Sequence, residues 1–180
     1  PVQGNFTNNS YAYNLKSAVN SQQYNWPSAI GGGYVYAGIP YRVVNKNSGK
    51  SLEIGNLSTV EGTRAWQWDY AGLGSQNWIF EDAGNGYVKI RNKNSNLYLD
   101  VDCESTADGA IIKQWNGTPN YNQQWQIVDA SGYGFGWYKI INRNSGKLME
   151  IGSESTANGA YAQQMGDAYL YSQQWYLYAP

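Results

Sequence analysis

The chain has 180 residues and a mass of 20.1 kDa, which fits one domain of ordinary size. Charged residues make up 14% of the sequence and aromatic residues 16%, a composition that excludes intrinsic disorder. The net charge of −1 and the pI near 5.4 exclude the basic stripe that nucleic-acid binding needs, and no apolar run is long enough to span a bilayer, so we expect neither nucleic acid nor a membrane as a partner.

Residues 1–40 precede the rest of the pattern and have the composition of a packed segment. They contain one charged residue, Lys16, and seven aromatic residues. Flexible linkers avoid aromatic side chains, because exposing them forfeits about 25 cal/mol per Å² of apolar surface, so we expect part of the segment to pack. It is either the ordered tail of an upstream domain or an extra strand of a binding surface. The start at Pro1 rather than Met predicts a fragment of something longer.

From residue 41 onward the sequence contains three copies of one unit. Leu52-Glu53-Ile54 aligns with Leu99-Asp100-Val101 and with Met149-Glu150-Ile151, at offsets of 47 and then 50 residues. The three extra residues fall in the glycine-rich stretch 131–136, where a loop is expected. We place the repeats at about 41–84, 85–134 and 135–180.

In each copy the pattern of apolar runs and turn residues predicts four short strands. In the second copy these strands cover about residues 88–91, 97–101, 110–115 and 124–128. The alternation of a strand puts Leu99 and Val101 on one face and Asp100 on the other, and it also points Trp115 outward. Three four-stranded copies do not close a propeller, which needs about 4–8 blades, so a closed threefold barrel with hairpin caps fits better.

Every copy ends on the pattern Gln-x-Trp. The three endings are Gln76-Asn77-Trp78, Gln123-Gln124-Trp125 and Gln173-Gln174-Trp175. They look like the repeat motif of the ricin B-chain-like β-trefoil, and the chain resembles the family 13-like carbohydrate-binding modules of bacterial polysaccharide-degrading enzymes. The resemblance covers about residues 41–180. It implies an all-β fold, a β-trefoil of pseudo-threefold symmetry, no catalysis, up to three sugar sites, and a secreted module that is a monomer in isolation.

The second copy matches the sugar site of this family in full. The resemblance gives Asp100 as the acidic residue, Trp115 as the aromatic residue that stacks on the sugar ring, and Asn122 and Gln123 as the amide pair. A carboxylate accepts hydrogen bonds from neighbouring hydroxyls, amides donate and accept, and an indole face covers the C–H side of the ring. Lys113 is a departure, because galactose-binding relatives often carry Gln there.

The first copy keeps the acid and the aromatic residue as Glu53 and Trp68, with Ser75 and Gln76 in place of the amide pair. Trp66 and Tyr70 add aromatic area nearby. Glutamate reaches one methylene further than aspartate, so the sugar would sit differently or be a different sugar.

The third copy keeps Glu150 and Gln173, with Ser172 before the glutamine, but Met165 replaces the aromatic residue. The residues that could supply a stacking face instead are Tyr161, Tyr169 and Tyr171. We rank the sites second, first, third.

Two sets of threefold residues are predicted to lie in the core rather than in a site. They are Trp78, Trp125 and Trp175, and Gln67, Gln114 and Gln164, which share the face of buried apolar residues. Trp115 points to the opposite face of its strand, away from the core, and an exposed tryptophan indicates binding.

Catalytic and metal chemistries have few residues to use. Without histidine, Ser–His–Asp and Cys–His pairs are excluded, the lone Cys103 permits no internal disulfide, and we expect no cofactor and no metal. The carboxylate run that starts at Asp100 fails the EF-hand pattern, since Ser105 stands at its glycine position and Ile111 at its bidentate position.

Two alternatives to sugar binding stay open. A glycoside hydrolase needs only paired carboxylates, but the acids Glu53, Asp100 and Glu150 are symmetry equivalents, and the mechanisms require a separation of about 5–9.5 Å. A protein-binding β-trefoil, such as an inhibitor, is the other alternative, because one fold hosts many functions. Among sugars, galactan, xylan and glucan ligands all remain open.

Overall fold

The computed structural model describes residues 28–131 and 136–179. Within these ranges the secondary structure consists of strands and short 3₁₀ turns, and no helix is long and apolar enough to cross a membrane. The strands are β1 (Ala29–Ile30), β2 (Val35–Tyr36), β3 (Pro40–Asn45), β4 (Ser51–Ile54), β5 (Ala65–Trp68), β6 (Trp78–Gly84), β7 (Tyr87–Asn92), β8 (Tyr98–Val101), β9 (Ile112–Trp115), β10 (Trp125–Asp129), β11 (Tyr138–Asn142), β12 (Leu148–Ile151), β13 (Ala162–Met165) and β14 (Trp175–Tyr178).

Six of these strands close an antiparallel barrel. The order around the wall is β3, β6, β7, β10, β11 and β14, and β14 pairs with β3 to complete the circle. In the closing pair, Trp175 lies opposite Asn45 and Tyr178 opposite Arg42. Closure leaves the wall without a free edge strand, which is what the repeats predict.

Three further hairpins cap one end of the barrel. They are β4–β5, β8–β9 and β12–β13, one from each repeat. Backbone bonds join each hairpin to the next: the amide of Gln114 donates to the Thr63 carbonyl, that of Gln164 to Ala110 and that of Gln67 to Ala160. A six-stranded barrel capped by three hairpins is a β-trefoil, so the predicted fold class is confirmed.

The core contains the residues that repeat identically. Trp78, Trp125 and Trp175 are fully buried, and their indole N–H groups donate to the Leu52, Leu99 and Met149 carbonyls. Gln67, Gln114 and Gln164 are also fully buried, and each accepts a hydrogen bond from a serine hydroxyl and donates to backbone carbonyls. Satisfied in this way, a buried amide costs little, so both sets are structural, as predicted.

The described part of the N-terminal segment packs against the barrel. Its two strands, β1 and β2, pair only with each other in the described chain, and Ile30 and Val35 join the hydrophobic core. Tyr34 packs on Tyr138, with 5.2 Å between ring centroids. Gly31 has a φ of +59°, and a Cβ there would lie 3.1 Å from Val88 Cγ1. Packing thus holds for residues 28–39, whereas 1–27 lie outside the described residues and the domain boundaries stay a prediction.

Candidate functional site

The second repeat presents an acidic group at the base of an open cavity. Strand β8 carries Asp100, and the loop after β9 brings Asn122 and Gln123 against it. Asp100 Oδ2 accepts hydrogen bonds from Asn122 Nδ2 and Gln123 Nε2, both at 2.9 Å. Among the described residues no hydrogen bond reaches Oδ1, so this oxygen keeps both lone pairs for a ligand.

Asp100 faces away from the core, but it is only 4% exposed. Strand alternation does not reveal this burial, because the loop 116–123 folds back over the outer face of the hairpin and its amides cover the carboxylate. Burial raises the pKa of Asp100 above its ordinary value, and the Gln123 hydrogen bond, the Lys113 charge and the Asn122 hydrogen bond offset part of the rise.

Trp115 forms one wall of this cavity, whose volume is about 290 Å³. The indole is 36% exposed, the highest exposure of any candidate in this repeat. One ring edge rests near Gly62 of the first repeat, where a Cβ would lie 3.6 Å from Cζ3. Lys113 Nζ lies 4.0 Å from the ring centroid and pairs with the Asp102 carboxylate. The ammonium group of Lys113, the residue that departs from the family pattern, therefore lies over part of the indole face.

The first repeat has a wider and more aromatic site. Glu53 is 5% exposed, its Oε2 accepts from Gln76 Nε2 at 2.9 Å, and it lines a cavity of about 340 Å³ with Trp66 and Trp68. The two indole centroids are 5.6 Å apart with an interplanar angle of 33°. Tyr70, expected nearby, lies instead in a cleft on the other side of its loop.

The electrostatics of Glu53 resemble those of Asp100. Burial raises the pKa of Glu53 above its ordinary value, and the hydrogen bond from Gln76 opposes the rise. The Trp66 indole N–H also favours the charged form, but it makes no hydrogen bond of normal geometry and is a buried donor without a partner.

The third repeat uses more of its carboxylate internally. Glu150 is 4% exposed, and Oε1 accepts from Gln163 Nε2 at 2.9 Å while Oε2 accepts from Gln173 Nε2 at 3.0 Å. Sequence reasoning missed Gln163, although it aligns with Lys113, where galactose-binding relatives often carry Gln. With both oxygens already accepting and Met165 in place of an indole, this site offers the least to a ligand.

The three tyrosines proposed to replace that indole lie elsewhere. Tyr161 sits beside Trp66 of the first repeat, with ring centroids 6.3 Å apart. Tyr169 and Tyr171 are exposed and lie beneath the ammonium groups of Lys139 and Lys46.

The first glutamine of each Gln-x-Trp motif is a positioning residue. Gln76, Gln123 and Gln173 are fully buried. In each repeat Nε2 donates both to the acid and to a backbone carbonyl, while Oε1 accepts from a backbone N–H. All three hydrogen-bonding directions are used within the protein, so these glutamines hold the carboxylate and leave ligand contact to their neighbours.

The residue before each glutamine carries a buried oxygen without a partner. These atoms are Ser75 Oγ, Asn122 Oδ1 and Ser172 Oγ. Native proteins leave few buried polar atoms without a hydrogen bond, so an unpaired oxygen at three equivalent positions needs an explanation. Asn122 lines the cavity of the second repeat, although its Oδ1 is itself buried.

The described residues contain no group of three or more Cys, Asp or Glu side chains arranged to hold a metal ion. The carboxylates after Asp100 in the second repeat have partners within the protein instead. Asp102 pairs with Lys113, and Glu104 Oε1 accepts from Asn120 Nδ2 at 2.8 Å.

A closed barrel capped by three hairpins, with an acid behind each cap, defines the class of protein as a β-trefoil. A family model described as "Ricin-type beta-trefoil lectin domain-like" matches residues 20–115 and 121–179. The chain belongs to this family, and the resemblance read from the sequence is confirmed.

Two solved structures share more than a third of their aligned residues with this chain. A designed threefold-symmetric protein, ThreeFoil, is 37% identical, with a TM-score of 0.75 and coverage of 78% of this chain and 99% of the design. An exo-beta-1,3-galactanase, 1,3Gal43A from Clostridium thermocellum, is 38% identical, with a TM-score of 0.77. That match covers 82% of this chain but 31% of the galactanase, so the chain spans about a third of that enzyme.

More distant structures share the fold. The ricin B-like lectin of Macrolepiota procera, solved in complex with lactose, is 18% identical, with a TM-score of 0.70 and coverage of 81% of this chain and 99% of the lectin. No match was found among curated protein sequences.

Proposed function

We propose that the chain is a noncatalytic carbohydrate-binding domain that holds an attached enzyme on a polysaccharide. One observation carries the proposal: Asp100, fixed by two amides, offers a free carboxylate oxygen at the base of a cavity walled by the half-exposed Trp115. This pairing matches the two sides of a sugar, since hydroxyls donate to the carboxylate while the C–H face covers the indole.

The identity of the polymer draws support from one relative. The galactanase of Clostridium thermocellum matches through a region about the size of this chain, which is less than a third of its length. A galactan is therefore the first polymer to test, ahead of xylan and glucan. We propose that the domain is secreted, is a monomer in isolation, and is joined to a glycoside hydrolase.

Each site alone is expected to bind weakly. A hexose has about eleven heavy atoms, and at about 0.3 kcal/mol per atom a single site supplies about 3–4 kcal/mol, which corresponds to millimolar affinity. Several sites on one polymer can add a factor of about 10²–10⁴ by avidity. We expect tight binding to the polymer and weak binding to its monosaccharide, and equal affinity for the two would contradict the proposal.

Hydrolysis by this chain fits the structure less well. Glu53, Asp100 and Glu150 stand on three different hairpins of the cap, each tied to the glutamine of its own repeat. Each carboxylate thus serves a site of its own rather than one shared reaction centre. Sustained release of sugar by the purified chain would overturn this judgment.

Affinity electrophoresis tests the proposal. The wild-type chain is run through gels that contain galactan, xylan or glucan, beside Trp115→Ala and Tyr36→Ala, which removes an exposed ring from the N-terminal hairpin. Retardation by one polymer that is lost only in Trp115→Ala supports the proposal. Loss only in Tyr36→Ala would move the binding surface to the N-terminal segment, and no retardation by any polymer would favour a protein partner.

A further inference from the structure

A second kind of cavity lies outside the three hairpin sites. It is a cleft of about 410 Å³ between β3, the end of β14 and the loop that follows β5. We call it the Arg42 cleft and define it by Arg42, Tyr70, Asn77, Lys93 and Tyr178. Two of these five residues are cationic, and among the described residues that line the cleft none has an acidic side chain.

The guanidinium of Arg42 is held between two tyrosine rings. Its Cζ lies 4.6 Å from the ring centroid of Tyr70 and 4.5 Å from that of Tyr178. Both rings are about half exposed, so their outer edges are open to solvent. Arg42 Nε is buried without a hydrogen-bond partner, and among the described residues no carboxylate pairs with Arg42. The guanidinium group is therefore fixed in place, yet its N–H groups donate no hydrogen bond within the described residues.

The pseudo-threefold symmetry supplies an internal comparison for Arg42. The equivalent residues are Lys89 and Lys139, and both are paired. Lys89 Nζ donates to the Thr118 carbonyl at 2.5 Å, and Lys139 forms an ion pair with Asp167 at 2.5 Å. Asp167 aligns with Tyr70, so the first repeat has an aromatic ring where the third has the neutralising acid.

Lys93 shows the same contrast. Its equivalents, Lys46 and Arg143, donate to the side-chain oxygens of Gln174 at 2.8 Å and Gln124 at 2.6 Å. In the first repeat the corresponding residue is Asn77, one methylene shorter, whose Nδ2 turns to the Leu73 carbonyl at 2.7 Å. Lys93 is exposed and has no side-chain partner in the described chain. Only one of the three equivalent positions therefore gathers two unsatisfied cations.

We propose that the Arg42 cleft binds the carboxylate of a hexuronate, an acidic sugar residue carried by the polysaccharide. The planar guanidinium matches a carboxylate through two parallel N–H bonds, and Lys93 adds a second positive charge at the rim. The tyrosine edges give the sugar ring an apolar surface.

The cleft is placed to act together with the first sugar site. The loop between β5 and β6 separates the two, contributing Leu73 to the Glu53 cavity and Tyr70 and Asn77 to the Arg42 cleft. A branched or mixed polymer could then place a neutral residue in one cavity and an acidic residue in the other. This inference rests on the proposed carbohydrate binding.

The test compares two monosaccharides that differ in charge. The ¹⁵N-labelled chain is titrated with methyl β-glucuronide and with methyl β-glucoside, and the Arg42 Nε–H resonance is followed. We expect a saturable shift with the glucuronide and none with the glucoside. Hydrogen bonds to charged groups are strong enough that Arg42→Gln should weaken glucuronide binding by about tenfold or more.

Lys93→Gln keeps the test decisive if Arg42→Gln does not fold, because Lys93 is exposed. It should weaken glucuronide binding about threefold, whereas the matched control Lys46→Gln, which removes an already paired cation, should leave it unchanged. Binding unaffected by Lys93→Gln, or an equal loss in Lys46→Gln, would overturn the inference.

Two further arms separate this inference from the proposed function. Asp100→Asn should weaken retardation by a neutral polymer and leave glucuronide binding intact, so either claim can fail alone. If sodium acetate or galactose 6-sulfate shifts the Arg42 resonance as strongly as the glucuronide at the same concentration, the cleft is a general anion site and the hexuronate assignment is wrong.

Discussion

The inside of this trefoil is threefold symmetric, and its outer face is not. The core tryptophans and the core glutamines are the same residue in all three repeats, with equivalent hydrogen bonds. On the outer face, the residue opposite the acid is Trp66, Lys113 or Gln163, and the wall of the site is Trp68, Trp115 or Met165. Identical positions maintain the barrel, whereas the positions that differ decide what each site can hold.

The Arg42 cleft extends the same comparison. Its cations are paired in the second and third repeats and unpaired in the first. Because Arg42 Nε is buried without a hydrogen-bond partner, this departure from symmetry marks a place to look for a ligand.

The sharpest contrast between the two regions is the cost of losing a tryptophan. Trp125→Ala leaves a large cavity in the core and should lower the free energy of unfolding by about 3–5 kcal/mol. Trp115→Ala removes a partly exposed ring and should cost about 1 kcal/mol or less. Denaturation in guanidinium chloride measures both, and equal losses would contradict the division between core and outer face.

Polymer binding, unlike stability, should depend strongly on Trp115. Trp115→Ala should weaken polymer binding by about tenfold, because the stacked aromatic surface is lost while the fold remains. Lys113→Gln frees the indole face and should not weaken binding to a neutral polymer. Isothermal titration with the polymer that retards the chain measures both variants, and a loss in Lys113→Gln equal to that in Trp115→Ala would mean that the lysine contacts the sugar.

The buried carboxylate predicts opposite effects of acid on binding and stability. Burial raises the folded-state pKa of Asp100 above its unfolded value, so its ionised form destabilises the fold at neutral pH. That destabilisation is lost as pH falls through the raised pKa, and the charged acceptor of the sugar hydroxyls is lost in the same window.

Asp100→Asn provides the matched control for this pH dependence. Subtracting its unfolding free energy from that of the wild type isolates the contribution of Asp100. The difference should shift in favour of the wild type as the pH falls, while wild-type binding weakens at a higher pH than the ordinary titration of aspartate would give. A difference that does not change with pH would show that burial does not perturb this group.

The smallest expected effect is a gain at the third site. Met165→Trp restores the missing aromatic wall. Gly159 lies next to the Trp68 ring and Gly62 next to the Trp115 ring, and Gly109 is the equivalent glycine for position 165. A Cβ at Gly109 would have no atom within 4 Å, so there is space for the new ring. Polymer binding should tighten about threefold by electrophoresis. No gain would indicate that the hydrogen bond from Gln163 Nε2 to Glu150 Oε1 keeps this carboxylate from a ligand.

The sequence predicted the barrel because the repeat constrains it. In the second copy the predicted strand 88–91 is observed as Tyr87–Asn92, and the predicted strand 124–128 as Trp125–Asp129. Each misplacement is small, because turn residues bound the strands and the same pattern occurs three times.

The details of the site depended on loops, which periodicity does not describe. Alternation gave the direction of Asp100 but not its burial, since a loop from later in the sequence covers it. Tyr70 was expected near Trp68, but its loop turns it toward Arg42 on a different strand. The unpaired state of Arg42 depends on a three-dimensional contrast with Lys89 and Lys139, which the sequence alone does not contain.

NMR of two side-chain amides tests directly whether the Asp100 cavity is the sugar site. Lactose, xylobiose and cellobiose are titrated in turn while the NH₂ signals of Asn122 and Gln114 are recorded with the Trp115 indole signal. We expect one sugar to shift the signals of Asn122 and Trp115 together and to leave that of the core amide of Gln114 unchanged. If every sugar shifts other signals and leaves those of Asn122 and Trp115 unchanged, the assignment of this cavity as the sugar site is contradicted.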